Sequence, residues 1–356
     1  MKKLLKILLI LILVIVAALA ALLGWLTATE FDPAPVEAAA ITRAGDNDTL
    51  HGGDHLTVLS WNIGFGGLGK AEDSFLDGGT KAKPDSRDVV YSYLDGIAKT
   101  IAENEPDLVL LQEVDVDSAR TYGIDERGCL DSGMSCDTFA LNYSCPFVPV
   151  PVPPMGKVNS GLFTMTDDLL IERAERISLP CPFSWPLRIA NLKRCMLVSY
   201  LPIAGSDSKL VLVNFHLEAY SEDEGKLAQM KQISDFIADE YAKGNYVVAG
   251  GDFNMAFPGS LDAYPNTHKE NWDPGEFDNS LLPEGFGLAY DLRAPSCRLL
   301  NQPYDPGDEA GTQHYVIDGL ILSPNVTALS VETLDLGFVD SDHNPVRLEL
   351  VLDSAA

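Results

Sequence analysis

Basic residues are scarce in this 356-residue chain, which has 25 Lys and Arg against 52 Asp and Glu and a formal net charge of −27. A chain this acidic repels polyanions at long range, so an extended DNA or RNA duplex is disfavoured as its main partner. The same charge attracts divalent cations. The composition therefore favours a protein that binds metal ions over one that tracks along nucleic acid.

Long hydrophobic runs are absent from the chain except at its beginning. The segment from Ile7 to Leu26 is uncharged and apolar over twenty residues, and it follows Lys2, Lys3 and Lys6. As a helix it spans a hydrocarbon core of about 30 Å. We predict a membrane anchor over residues 1–29, the alternative being a cleaved secretory signal, whose apolar region is usually about 7–15 residues. In both cases the basic flank stays in the cytoplasm and the rest is extracytoplasmic.

Cysteine is also infrequent, and none of the six cysteines lies in a CxxC spacing, which argues against a thiolate zinc site. An even number of cysteines in an exported chain makes disulfides plausible. We expect one disulfide to join Cys129 to Cys136 and another to join Cys181 to Cys195, although spacing alone does not fix the pairing.

The remainder of the chain divides into two parts. Residues 30–54 are rich in Ala, Pro, Asp and Gly without apolar periodicity, and are predicted to be a linker. Residues 55–356 alternate short apolar runs, typical of strands, with amphipathic helices predicted at 87–104 and at about 222–241. Several strands follow one another too closely for a crossover helix, which indicates mixed sheets covered by helices.

Two stretches of this domain do not follow the alternating pattern. Residues 114–157 contain three of the six cysteines and the run "CPFVPVPVPP", and residues 255–312 are rich in Pro, Asp and Asn. They are predicted as irregular insertions, which either shape a binding site or decorate the surface.

Polar side chains interrupt the apolar runs in six segments. A buried carboxylate or imidazole is costly unless it is paired or bound to a metal, so the repeated placement at strand ends indicates a shared cleft. The residues concerned are Asn62, Glu113, His216, Asp252, Asn254, Asp318, Asp342 and His343.

The segments "SWNI", "LLQEV", "GGDFN" and "SDHNP" occur in an order that resembles the endonuclease/exonuclease/phosphatase superfamily. That superfamily includes pancreatic-type deoxyribonucleases, apurinic endonucleases, inositol polyphosphate 5-phosphatases and neutral sphingomyelinases. The resemblance implies a four-layer α/β sandwich, in which two packed mixed β-sheets are flanked by helices.

The resemblance also implies a metal site. Glu113 would be the principal ligand of Mg²⁺ (or Mn²⁺), with Asn62 nearby and Asp342 next to the position of a second metal, while the number of metals stays open. Oxygen ligands around a substrate phosphate are those that Mg²⁺ prefers.

Catalytic roles follow from the same resemblance. His343 would be the general base for the attacking water, with its other ring nitrogen held by Asp318. Asp252 and Asn254 would orient the nucleophile and hydrogen-bond the phosphoryl oxygens, and His216 would stabilise the developing charge or assist the leaving group.

The chain is therefore predicted to be a monomeric, membrane-anchored, extracytoplasmic and Mg²⁺-dependent hydrolase of phosphate esters. Its substrate could be a small molecule, a lipid headgroup or a nucleic acid. Two alternatives are an extracellular endonuclease or exonuclease and a catalytically silent binding module. A basic stripe formed by Arg188, Lys193 and Arg194 beside the cleft would favour nucleic acid, whereas an apolar rim built by the Pro-rich loop would favour lipid.

Overall fold

The structure is a computed structural model that describes residues 1–43, 47–130, 133–220, 223–308 and 311–354. The helices are α1 Lys2–Ala28, α2 Arg87–Asn104, α3 Arg127–Leu130, α4 Asp223–Ala242 and α5 Ser260–Ala263. The strands are β1 Val36–Ala38, β2 Ile41–Arg43, β3 His55–Asn62, β4 Leu108–Asp115, β5 Cys136–Val148, β6 Gly156–Thr166, β7 Arg173–Ser178, β8 Cys195–Pro202, β9 Lys209–His216, β10 Tyr246–Asp252, β11 Gly287–Ala289, β12 Cys297–Arg298, β13 His314–Tyr315, β14 Asp318–Leu322, β15 Val326–Thr333 and β16 Val346–Leu352.

Two seven-stranded sheets form the body of the domain. One has the strand order β1-β7-β8-β9-β10-β14-β11, and the other has the order β15-β16-β3-β4-β6-β5-β2. In each sheet a parallel pair, β9 with β10 and β3 with β4, lies between antiparallel neighbours. Helix α2 connects the parallel strands of one sheet and α4 those of the other. The predicted four-layer α/β sandwich of two mixed sheets is confirmed.

Side-chain alternation along the strands builds the layers. In β3, Leu56 and Val58 belong to the core between the sheets, whereas Leu59 and Trp61 pack under α2. Helix α2 begins after Ser86, whose side chain accepts a hydrogen bond from the Val89 N–H and so caps the helix. Its buried residues recur at helical spacing, so one face covers the sheet. These residues are Val90, Leu94, Ile97 and Ile101.

The second helical layer follows the same logic. Val211, Val213 and Val247 of the other sheet pack against Ile233 and Ile237 of α4. Full burial of each such side chain contributes about 1.5–3 kcal/mol relative to exposure. Residue 222, where this helix was predicted to begin, lies outside the described residues, and the rest of the prediction is confirmed.

The segment predicted as a linker contributes to both sheets. Strand β1 pairs with β7 at the edge of one sheet, and β2 pairs with β5 at the edge of the other. Leu50 is buried between the sheets. The expectation of an irregular tether is wrong at these positions, because strands of three residues are too short to show a hydrophobic period.

The stretch 114–157 is more regular than expected. It contains β5, a strand of thirteen residues that pairs with β6 along most of its length. Its inward positions include the polar residues Thr138 and Asn142, both buried, so the hydrophobic alternation that marks a strand was hidden.

The predicted disulfides are not formed, since all six cysteines are free thiols. Cys136 and Cys195 are each the first residue of a strand, and each is buried in an apolar cluster of the core. Cys129 and Cys181 lie elsewhere and are half-buried. The expected pairing fails because these two strand positions direct the thiols into packed side chains.

Helix α1 is long and apolar enough to cross a membrane, a property that an N-terminal signal sequence shares. Its last turn packs on the domain, where Leu26 is 6% exposed and lies in a cluster with Val148, Met155 and Ile189. The Trp185 indole N–H donates a hydrogen bond to the Thr27 hydroxyl over 3.2 Å. The end of the helix is therefore part of the folded domain.

Candidate active site

The carboxyl ends of the two parallel strand pairs bring four of the predicted polar residues to one edge of the sandwich. Asn62 ends β3, His216 ends β9 and Asp252 ends β10, while Glu113 lies near the end of β4. Parallel strands terminate at a common edge, so these side chains converge although they are far apart in the chain. Asp318 begins β14 directly opposite Asp252 and joins the same edge.

His343 is oriented by a carboxylate. Its Nδ1 lies 2.9 Å from Asp318 Oδ2, and the same oxygen accepts a hydrogen bond of 2.7 Å from the Ser296 hydroxyl. The Trp61 indole N–H donates to the His343 carbonyl over 2.8 Å. This arrangement leaves Nε2 of His343 directed at Asp252, at 3.7 Å.

The charge state of His343 is set by its acidic neighbours. Burial disfavours the imidazolium and by itself would lower the pKa of His343. The neighbouring acidic groups together outweigh burial and raise this pKa well above its ordinary value. These groups are Asp318, Cys297, Asp342 and Asp252. The ring is therefore a strong proton acceptor in its present surroundings.

Asp252 lies at the centre of the hydrogen-bond network. Its Oδ2 accepts from the Asn62 amide at 3.0 Å and lies 3.3 Å from Nε2 of His216, and its Oδ1 accepts from the Asn254 backbone N–H at 2.8 Å. Burial and the charge of Asp318 raise the pKa of Asp252 to about 7, against the opposing effect of His343.

His216 is held neutral. Burial, with smaller effects of Arg194 and His343, lowers the pKa of His216 well below its ordinary value. A neutral ring that carries its proton on Nε2 can donate to Asp252. Nδ1 of the ring is buried and has no hydrogen-bond partner among the described residues.

Glu113 and Asp342 form the other wall of the site. Glu113 has a left-handed backbone, with φ of 57°, in an irregularity where the pairing of β4 with β6 shifts register. Burial, with a contribution from Glu113, raises the pKa of Asp342 to about 6 despite the opposing effect of His343. A divalent cation between these carboxylates would compensate the charge that burial disfavours, so the residues fit a hard metal ion.

Asn62 presents its amide nitrogen to the carboxylates. It donates to Glu113 Oε1 over 3.2 Å and to Asp252, while its oxygen accepts from the Gly64 N–H at 3.0 Å. In this orientation the Asn62 amide group donates to both Glu113 and Asp252, and its predicted place at the metal site stays a prediction. A second set of potential metal ligands is formed by Asp252, Asp318 and His343, whose ligand atoms lie within 4.8 Å of one another. Nδ1 of His343 is already engaged by Asp318.

The family model described as the Endonuclease/Exonuclease/phosphatase family matches residues 59–343. The chain belongs to this family. Members hydrolyse phosphate esters, in general with a divalent metal. No curated protein matches the chain in sequence.

Solved structures of low sequence identity share the fold. An endonuclease/exonuclease/phosphatase from Beutenbergia cavernae is 18% identical with a TM-score of 0.55, covering 84% of this chain and 72% of its own. ANGEL2, a 2′,3′-cyclic phosphatase solved with adenosine-2′,3′-vanadate, is 15% identical with a TM-score of 0.53, covering 89% and 99%. A family protein from Bacteroides thetaiotaomicron is 15% identical with a TM-score of 0.52, covering 85% and 100%.

In this member of the Endonuclease/Exonuclease/phosphatase family a cavity of about 510 Å³ contains the site. One end is lined by six of the eight predicted residues, and the structure brings the other two, Asn62 and Asp318, into hydrogen-bond contact with them. The residues at this end are Glu113, His216, Asp252, Asn254, Asp342 and His343. We call it the polar end.

The opposite end of the cavity is apolar. Its wall combines α1 with the Pro-rich loop and with the short 3₁₀ helix Leu187–Ala190. The residues that form this wall are Leu23, Leu26, Val148, Val150, Met155, Leu187 and Ile189. We call it the apolar end. The Pro-rich loop therefore contributes an apolar rim to the cavity, the feature expected to favour a lipid substrate.

Sequence patterns missed several residues of the family site. Ser296 and Trp61 position Asp318 and His343, yet neither belongs to a polar interruption of an apolar run. Arg194 also lines the cavity and is 3% exposed, with Nε and Nη1 lacking hydrogen-bond partners among the described residues. The sequence signal for Arg194 is its position directly before the apolar strand β8, whereas our sequence analysis places it in a basic surface stripe.

All three residues of the predicted basic stripe have acidic partners within the chain. Arg188 and Lys193 both contact Glu30 just beyond α1, at 3.1 and 2.8 Å. Nε of Arg194 lies 3.7 Å from Glu218. The first two cations pair with Glu30 beside the end of the N-terminal helix, so part of the positive charge of this stripe is neutralised within the chain.

Proposed function

We propose that this chain is a Mg²⁺- or Mn²⁺-dependent hydrolase of phosphate esters, with His343 as general base, and that it acts as a monomer. The observation that carries the proposal is the His343–Asp318 pair, bonded at 2.9 Å, with Nε2 of His343 lying 3.7 Å from Asp252 Oδ2 and 3.9 Å from Asp342 Oδ2. General bases are recognised by such geometry, in which one ring nitrogen is fixed and the other is directed at the site.

Glu113, with Asp342, would hold the metal. When bound, the ion would polarise a phosphoryl oxygen and offset the carboxylate charge. Asn62 links these ligands to Asp252 and keeps the two walls at a fixed separation.

The hydrolytic step uses this chain's own groups as follows. His343 Nε2 takes a proton from water, the water oxygen bonds to phosphorus, and the phosphorus–oxygen bond to the alcohol breaks, after which the proton held by His343 passes to the alcohol oxygen. Asp318 stabilises the resulting imidazolium. Asp252 orients the water, and neutral His216 holds Asp252 through its Nε2.

Asn254 takes a more indirect part than its predicted contact with the phosphoryl group. Its amide N–H donates to the Leu217 carbonyl at 2.8 Å, and its backbone N–H donates to Asp252. We assign it as a positioning residue for Asp252.

The proposal includes an anchored, extracytoplasmic domain. Lys2, Lys3 and Lys6 precede the apolar helix, which favours retention of that flank in the cytoplasm. The packing of Leu26 and the ion pairs of Glu30 support a retained helix over a cleaved signal, because cleavage after the helix would leave an apolar surface of the domain uncovered.

The test is hydrolysis of bis-p-nitrophenyl phosphate by the full chain in detergent, with Mg²⁺, beside a His343→Ala variant and an EDTA-treated sample. We expect the variant to lose at least about 100-fold in rate, since general-base catalysis contributes 10²–10⁴-fold. Equal rates for wild type and variant on this ester, DNA and phospholipid would favour the silent binding module and overturn the proposal. Hydrolysis of DNA alone would favour the nuclease.

A further inference from the structure

The cavity joins two chemically different surfaces. Asp252 and His343 line its polar end, and Leu23 and Leu26 of the membrane-spanning candidate α1 line its apolar end. A single space of about 510 Å³ is of the size that holds a small ligand. A water-soluble phosphate ester would use only the polar end, so the apolar end is left without a partner in the proposed reaction.

The apolar end is fixed relative to the helix that would enter the bilayer. Leu26 is buried against the domain, and Glu30, just beyond the helix, is held by Arg188 and Lys193. Trp25 is 46% exposed in the last turn, where an indole suits the boundary between hydrocarbon and headgroups. The apolar end of the cavity is therefore held at the depth of this boundary.

Exposed apolar residues surround the same region. Val150 is 55% exposed, Val152 95%, Trp185 51% and Leu187 65%. We call these four residues the apolar collar. Val150 and Leu187 also line the cavity, so the collar is continuous with its apolar end. Large exposed apolar side chains that adjoin a membrane helix are expected to be covered by lipid rather than by water.

Arg194 supplies a complementary group for an anionic headgroup. Its guanidinium is buried, lines the cavity and has two nitrogens without hydrogen-bond partners among the described residues. Glu218 at 3.7 Å compensates its charge without forming a hydrogen bond to Nε. A buried positive charge beside the cavity favours an anionic phosphate there.

We propose that the substrate is a lipid phosphoester taken directly from the bilayer, with its hydrocarbon in the apolar end and its phosphorus at the polar end. This inference rests on the proposed hydrolase function. Hydrolysis of a lipid in the bilayer requires the apolar collar, whereas a soluble ester would reach His343 without the collar.

The experiment uses the full chain reconstituted with Mg²⁺ in vesicles of phosphatidylcholine, phosphatidylglycerol, phosphatidylinositol and sphingomyelin. Released headgroups are measured by mass spectrometry, and bis-p-nitrophenyl phosphate is measured in parallel. Leu187→Glu is compared with Leu329→Glu, a matched exchange of an exposed leucine, 51% accessible, on the edge strand β15. Val152→Glu is a second collar variant, at a residue that does not line the cavity.

We expect wild type to hydrolyse at least one of the lipids. Leu187→Glu and Val152→Glu should each lower that rate about 10-fold or more, because a charge replaces an apolar contact with lipid. Val152→Glu, at a collar residue outside the cavity lining, should leave hydrolysis of the soluble ester unchanged. Leu329→Glu should match wild type on both substrates.

Hydrolysis of the soluble ester without hydrolysis of any lipid would overturn the inference while sparing the proposed function. Collar variants that match wild type on lipid would also overturn it. Hydrolysis of neither substrate would remove the proposed function, and with it this inference.

Discussion

The two ends of the cavity are built from different parts of the chain. The polar end consists of residues at the ends of central strands of both sheets, where the backbone is held by pairing on each side. The apolar end consists of the last turn of α1, the Pro-rich loop and a short 3₁₀ helix. The difference indicates that the rigid sandwich supplies the chemistry and that peripheral segments select what reaches it.

The largest expected effect is at the polar end, where Asp318→Asn should lower the rate of hydrolysis. The substitution keeps the shape but removes the charge that stabilises the imidazolium of His343, so kcat should fall about 100-fold or more with KM little changed. The acid limb of the pH–rate profile should move to lower pH, because loss of the carboxylate lowers the pKa of His343. Steady-state kinetics on the soluble ester measure both effects.

Asp335→Asn is the matched control, since Asp335 is an exposed turn residue whose carboxylate accepts from the Gly337 N–H. A variant Asp318→Asn with the kinetics of this control would remove the assignment of His343 as the base.

A second expected effect concerns the metal. Glu113→Ala should raise the half-saturating Mg²⁺ concentration at least about 10-fold, because even loss of an indirect metal contact costs about 10–100-fold in affinity. Calorimetric titration of Mg²⁺ into EDTA-stripped protein measures affinity without relying on turnover.

Glu103→Ala provides the comparison, because Glu103 is exposed on α2 and pairs only loosely with Lys99 at 3.7 Å. Identical Mg²⁺ affinities for the two variants would mean that Glu113 is not a ligand.

The smallest expected effect lies at the apolar end. Glu30→Ala leaves Arg188 and Lys193 without their shared partner and should cost about 1 kcal/mol, which corresponds to a fall in Tm of about 2–4 °C. Thermal unfolding in detergent measures this change, with Glu103→Ala again as control, and hydrolysis of the soluble ester should persist.

The pH dependence of this contact has a definite sign. Burial opposes ionisation of Glu30, but Lys193 and Arg188 outweigh it and lower its pKa. The contribution of Glu30 to stability is therefore complete above its unfolded-state pKa and is lost as the pH falls through the lower, folded-state pKa. A Tm difference between wild type and Glu30→Ala that grows towards acid pH would contradict this assignment.

The polar end could be predicted from the sequence because its residues break apolar runs. Asn62, His216 and Asp252 are each the last residue of a strand, so their positions along the chain already indicated a common edge. Ser296 and Arg194 could not be found in this way. Their importance depends on contacts with Asp318 and with the cavity, which arise only when distant segments pack together.

The apolar end was less predictable for a related reason. Strands β1 and β2 are too short to show a period, and buried polar residues such as Thr138 and Asn142 conceal the alternation of β5. Sequence patterns predicted α1 as a membrane helix, but not that Leu26 packs on the domain. Contacts between an apolar N-terminal helix and a distant part of the fold leave no local periodic signal.

The packed end of α1 also limits where an anchored enzyme can work. Leu26 is buried and Glu30 is paired with two cations, so under the proposed anchoring the domain would be held against the bilayer rather than tethered loosely above it. The proposed catalytic centre would then keep a constant height above the leaflet in which the helix ends. An enzyme held in this way would act on its own membrane in cis and not on neighbouring vesicles.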